Sequence, residues 1–217
     1  YTTLFRSTSK LKVVVSDGRE GKEAIGYMKA YVNMDVATLN VGSQPLANNA
    51  HVKYPDAFGM VSLNDLKTYS VDYAIANEVN AKNVDFKFYC FGASGSPRLY
   101  SMDNTGKDGE FSGSTGKLSA IKVKNLTRFA ILSNFDYENA TVASISSEIL
   151  SSSIAQSLLD PIAVGNVIAF RTGGSSAAGG GRIGVMKVIN ITEPKELVSN
   201  NATARVMTVE IKFPKKK

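Results

Sequence analysis

The chain has 217 residues, 43% of them hydrophobic and 20% charged, which suffices for one large domain or two small ones and excludes wholesale disorder. One cysteine (Cys90), one histidine (His51) and no tryptophan leave no material for an internal disulfide, a CxxC redox pair or a His/Cys metal cluster. The net charge of +6 halves without Lys215, Lys216 and Lys217, and the other cations are not interleaved with aromatics, so the footprint of a nucleic-acid binder is missing.

Residues YTTLFRS look like translated adapter DNA at a contig edge, so Tyr1–Ser7 are expected to be non-biological and the natural start to lie upstream. The dominant pattern after them is period-two alternation bounded by Gly, Asn, Ser and Asp, the mark of half-buried strands. LKVVV (Leu11–Val15) predicts a first strand ending at the turn signal Ser16-Asp17-Gly18. From Tyr27 to Val36 the even positions are apolar, predicting one strand with Tyr27 and Tyr31 on its wet face. The polar stretch SQPLANNAHVKYPDA, punctuated by Pro45 and Pro55, is read as a linker between a small unit (1–56) and a larger one (57–217). His51 falls in it as a loop residue.

VSLNDLKTYSVDYAI predicts one or two strands, and Ala74–Ala81 a helical turn. VDFKFYCF (Val84–Phe91) is the clearest strand of this half, with Cys90 an inert thiol on the face of Val84, Phe86 and Phe88. GASGSPRLYSMDNTGKDGEFSGSTGK is too rich in Gly and Ser to be regular throughout, while IKVKNLTRFAIL predicts a strand pair or a bent strand. In ATVASISSEILSSSIAQSLL the residues Val142, Ile145, Ile149, Ile154 and Leu158 suit one short helix. NVIAFRT and RIGVMKVINI predict strands joined by a flexible GGSSAAGGG loop, and Ala204–Phe213 a last strand. Successive strands with short returns imply an all-β fold of antiparallel β-sandwich modules with one short helix.

The tempting motifs fail on context. Gly179, Gly181 and Gly184 spell G-x-G-x-x-G, but a strand follows where a dinucleotide site needs a helix. Gly116-Lys117 lacks the rest of a phosphate loop. Asp103, Asn104, Asp108 and Glu110 miss the EF-hand spacing and are read as a solvated loop tip. Asp136 and Glu138, the obvious carboxylate pair, would point the same way on a strand, and no GxSxG supports a serine nucleophile. Four N-x-[ST] tripeptides, at Asn125, Asn139, Asn190 and Asn201, are near what chance supplies. No catalytic residue, metal or cofactor is expected. The better lead is Tyr27, Tyr31, Tyr89, Arg98 and Tyr100, placed by alternation on polar strand faces, where tyrosine and arginine stack on sugars or anchor a protein partner.

LDPIAVGNVIAFRT, a glycine-rich gap and GRIGVMKVINI, with NLTRFAILSNFDYENAT and YSVDYAIANEVNAKNVDFKFYCFGASG upstream, resemble exported β-sandwich lipoproteins of Bacteroidota over about Phe58–Phe213. Asn166 stands where that pattern has Asp, and the glycine gap is longer here. The resemblance implies an extracellular or cell-surface setting near glycan-uptake or adhesion functions, and it transfers no catalytic residue. The expectation is a non-enzymatic binding protein for a glycan or a surface protein. The alternative is a fibre or surface-layer subunit that self-associates by strand addition through Leu11–Val15 and Val206–Phe213.

Overall fold

The computed structural model describes residues 8–16 and 23–216, with side chains from Tyr31 onward. The expectation for YTTLFRS lies outside the described residues. Twelve strands and three short α-helices are assigned among them. β1 (Thr8–Ser16) and β2 (Glu23–Tyr31) pair as an antiparallel hairpin, Thr8 opposite Tyr31. The alternation expected to run unbroken from Tyr27 to Val36 is cut at Asn33, whose φ of 57° turns the chain into β3 (Met34–Gly42). A break of two residues keeps the parity of the apolar positions, so the pattern hides it. Asn is among the few side chains that accept this left-handed backbone.

The rest of the chain builds two five-stranded antiparallel sheets. The first has the order β3-β12-β11-β10-β8, with β8 Arg128–Leu132, β10 Val167–Arg171, β11 Ile183–Ile191 and β12 Val206–Pro214. The second has the order β5-β4-β6-β7-β9, with β4 Met60–Ser62, β5 Lys67–Tyr69, β6 Phe86–Phe91, β7 Ser96–Ser101 and β9 Leu158–Leu159. β3 pairs with β12 from Met34↔Pro214 to Gly42↔Val206, so the first sheet runs across the boundary expected at 56/57. IKVKNLTRFAIL yields a single strand, β8, and Ile121–Thr127 is irregular.

Alternation along each strand sends one face inward. Leu39, Val41, Phe129, Phe170, Met207, Val209 and Ile211 of the first sheet share one core cluster with Val61, Phe86, Phe88, Cys90 and Leu99 of the second. Phe86 meets Phe129 edge-on at 5.8 Å and Phe170 meets Phe213 at 5.2 Å. Full burial of each such ring contributes roughly 1.5–3 kcal/mol. Gly184 gives this core room, since a Cβ there would occupy the space of the Phe170 ring. The third glycine of the apparent dinucleotide motif is therefore a packing residue inside a hairpin.

Both outer faces are roofed. Over the second sheet lie α1 (Val71–Ala76, capped by Ser70), α2 (Glu78–Lys82, capped by Asn77) and the excursion after β7, whose Met102, Phe111, Leu118 and Ile121 pack with Tyr89 and Tyr100. Over the first lie the 133–141 turn and α3 (Val142–Glu148), opened by a capping box between Thr141 and Ser144. Ile145, Ile149 and Ile154 of the expected apolar stripe are buried there, although the helix itself stops at Glu148. The GGSSAAGGG loop, expected to be flexible, is docked. Ala177 N–H donates to Lys82 O (2.8 Å), Ser175 Oγ to Asn125 Oδ1 (2.7 Å), and Ala178 is buried.

Candidate functional site

The five residues expected to face solvent part company. Tyr27 lies where side chains are not described. Tyr31 is half-buried beside the first sheet, its ring 5.1 Å from the buried Lys212 ammonium. Tyr89 and Tyr100 are only 2% and 4% exposed, which corrects the expectation of a wet face. The roof over the second sheet covers them, and they meet edge-on at 5.6 Å. Arg98 stands directly across from Tyr89 on β7 and keeps a foothold at the surface.

What remains accessible is the end of the β6–β7 hairpin. Phe91 is 40% exposed because it is the first residue of β6 beyond the roof. The Arg98 guanidinium lies 4.1 Å from its ring centroid and pairs with Asp160 at 2.9 Å. Lys107 Nζ lies 5.0 Å from the Phe91 ring and 5.5 Å from that of Tyr89. Glu110 accepts from Lys107 Nζ (2.8 Å) and from the Tyr89 hydroxyl. Burial and the Glu110 carboxylate push the Tyr89 phenol up to about 12, while Lys107 and Tyr89 hold Glu110 below the usual carboxylate range. The result is an aromatic ring with two cations and two carboxylates around it. Such a patch offers apolar area, donors and acceptors to a polar ligand.

The residues singled out for chemistry are otherwise engaged. Asp108 is no solvated loop tip: it is buried and 2.6 Å from the equally buried Lys87 Nζ, which also donates to Asn104 O at 2.9 Å. Asp103 is bound bidentately by Arg128, at 2.8 Å to each oxygen. Asp136 and Glu138 stand in a turn rather than on a strand. Asp136 accepts from Asn139, and Glu138 pairs with Lys187 at 2.8 Å. No three His, Cys, Asp or Glu side chains converge among the described residues. Cys90 is buried in the core, and burial pushes its thiol up to about 12. Asn125 is fully buried, its amide donating to Lys82 O and Val84 O at 2.8 Å. No helix among the described residues is long and apolar enough to cross a membrane.

Sequence reasoning missed Phe91, Lys107 and Lys87. A lysine inside FKFYCF signals a buried charge only if the strand's second face is known to be covered. Phe91 drew no notice because it closes the strand at the glycine turn.

Comparison with known proteins adds a fold. No family model matches the chain, and no curated protein matches it. Among solved structures it is similar to a DUF4466 family protein from Parabacteroides merdae, at 13% identity and a TM-score of 0.53. The likeness covers 89% of this chain and 59% of that one, so the chain spans well under two thirds of its neighbour. That neighbour comes from the Bacteroidota, the group that the strand motifs resemble, and the agreement is one of fold.

Proposed function

We propose that the protein is a non-enzymatic binding protein of the cell surface or extracellular space, built as a β-sandwich, that takes a glycan or a protein partner at the end of the β6–β7 hairpin. The observation that carries the reading is the half-exposed Phe91 ring with Arg98 stacked on it, inside a frame of Lys107, Glu110 and Asp160. Aromatic and arginine side chains held on rigid strands are the anchors from which such interfaces draw most of their energy. The motif resemblance to exported lipoproteins and a lone, buried cysteine support the extracellular setting. The test is a panel of polysaccharides, mucins and surface proteins probed with the wild type and with Phe91→Ala/Arg98→Ala. Binding lost in the variant, with an unchanged melting temperature, supports the site; equal binding by both removes it.

A second reading, assembly by strand addition, keeps one of the two edges first expected and replaces the other: Leu11–Val15 lies in β1, which among the described strands pairs only with β2. Val206–Phe213 lies inside the first sheet, between β11 and β3, and offers no free edge. β8 is at the border of that sheet. Beyond the bridge from Phe129 to Gln156, Ile131 is 45% exposed beside a groove of about 550 Å³ reaching Ile149. An open edge is a template for another strand. Light scattering over a concentration series, with Ile131→Lys as the edge-blocking variant, decides it. Mass that grows for the wild type alone supports assembly, and a steady 23.2 kDa for both excludes it.

A further inference from the structure

A second surface lies over the first sheet, away from Phe91. A groove of about 640 Å³ runs between α3 and the glycine-rich β10–β11 connection, beside the end of β12. Its floor is aliphatic, formed by Val142, Ile145 and Ile183, and its charged lining consists of Arg182, Lys215 and Lys216 with no carboxylate. The three cations differ in how they are held. The Arg182 guanidinium lies 3.9 Å over the Phe213 ring and donates to the carbonyls of Ala178 (2.7 Å) and Pro214, so it is fixed in place. Lys215 is 57% exposed and has Asp35 at 3.5 Å, a loose pair of small energetic weight. Lys216 has no ion pair among the described residues.

The opposite rim is bare backbone. Gly179 and Gly181 hold φ values of +92° and +75°, which other residues rarely adopt. Their N–H groups turn inward, to Ser176 O (2.9 Å) and Thr172 O (3.0 Å). A Cβ on Gly180 would stand 2.9 Å from Gly174 Cα, so a side chain is excluded there. The Gly180 N–H donates to no acceptor among the described residues. An exposed backbone rim at Gly180 thus borders the same groove as an aliphatic floor and two exposed ammonium groups.

We propose that this groove binds an anionic polysaccharide, its uronate carboxylates or sulfate esters meeting Lys215, Lys216 and the Gly180 amide while the C–H face of the sugar lies on the partly exposed Val142 and Ile183. It deepens the glycan form of the binding reading by naming a ligand class, and it does not depend on the Phe91 site. No aromatic side chain lines the groove, so it has no stacking platform for nucleic-acid bases. Where the strands border it, Ile183 pairs with Arg171 of β10 and Pro214 with Met34 of β3, and between them the Arg182 guanidinium already takes the Pro214 carbonyl, so the groove offers no run of open strand edge for a peptide to extend.

The experiment is affinity electrophoresis of the full chain through gels containing polygalacturonate, chondroitin sulfate, neutral dextran or poly-L-glutamate, at low and high salt. Retardation by the two acidic polysaccharides, relieved by salt and absent with dextran, is the expected result. Lys215→Glu/Lys216→Glu should weaken it about tenfold or more. Two controls should leave it unchanged: the charge-matched Lys53→Glu/Lys195→Glu and Phe91→Ala. No retardation by either acidic polymer overturns the proposal. So does an equal loss in both charge-reversal pairs, which would mark a bulk-charge effect, or equal retardation by poly-L-glutamate. Loss on Phe91→Ala alone would move the ligand to the hairpin end, overturning the groove while the binding reading stands.

Discussion

Asp85, just before β6, is fully buried where the β4 end, Asn125 and the glycine-rich loop converge. Its Oδ2 accepts from Leu63 N–H at 2.8 Å, and Asn125 Nδ2 stands 3.4 Å from Oδ1. Burial outweighs these donors and the Ser176 hydroxyl, raising the carboxyl from 3.8 to about 6. A shift of about two units corresponds to about 3 kcal/mol between its two protonation states. The sign follows from linkage. A raised folded value means that the folded chain keeps a proton which the unfolded chain has lost. The contribution of Asp85 is therefore fully present below about pH 4 and is lost as the pH rises through about 6. Asp65, Asp72 and Asp103 act oppositely, since hydrogen bonds from their neighbours hold them below the ordinary range, and so the wild-type profile alone is a mixture. Asp85→Asn isolates the group because it keeps an acceptor for Leu63 and carries no charge at any pH. Urea unfolding of both proteins at about pH 4 and pH 7.5 should show the variant gaining about 2–3 kcal/mol on the wild type at the higher value. Parallel curves, with no pH-dependent difference, would refute the assignment of a strained buried carboxyl.

Two further outcomes follow from buried groups. Asp108→Ala leaves the Lys87 ammonium without its carboxylate in a closed site and should cost about 3–5 kcal/mol in chemical denaturation, whereas Lys87→Met/Asp108→Leu should cost far less. Equal losses would mean that the pair's place in the fold rests on packing rather than charge. Cys90, with its thiol raised and enclosed by the core, should resist maleimide at pH 8 in the native protein and react fully in urea. Native-state labelling at the rate of a free thiol would show that the core opens there.

The strands were legible because each carries its own period. Leu11–Val15, Phe86–Phe91, Val167–Arg171 and Val206–Phe213 all lie within strands. Their order was not legible. β12 follows a hairpin series and reads as a terminal strand, yet β3 closes against it and turns an apparent edge into a sheet interior. That pairing joins residues more than 160 positions apart, and no local pattern encodes which of several apolar strands will meet. The glycine loop misleads in the other direction. Its composition argues for freedom, but its glycines are there for close backbone approach, Gly173 against Leu126 and Gly180 against Gly174.

The candidate site turns on the same limit, one layer further out. Alternation correctly separates Phe86, Phe88 and Cys90 from Lys87, Tyr89 and Phe91, but it says only that these residues share a face. Whether that face is wet depends on a roof supplied by another stretch of chain, and the roof's apolar residues, Met102, Phe111, Leu118 and Ile121, are scattered through 102–121 without a period. They stand nine, seven and three positions apart, with Gly, Ser and charged residues between, so the segment looks like solvated loop. The cost of being wrong about it is large: two tyrosines move from surface to core and a lysine becomes a buried ion. Accessibility at the Phe91 end is what is left when that roof stops, at Glu110 and Lys107. Binding surfaces of this kind are therefore defined by the border of a covering loop rather than by the strand that carries the ring. Removing the roof's apolar contacts, as in Phe111→Ala/Leu118→Ala, should expose Tyr89 and Tyr100 to solvent, read as a blue-shifted tyrosine absorbance, while Arg98 keeps its place over Phe91.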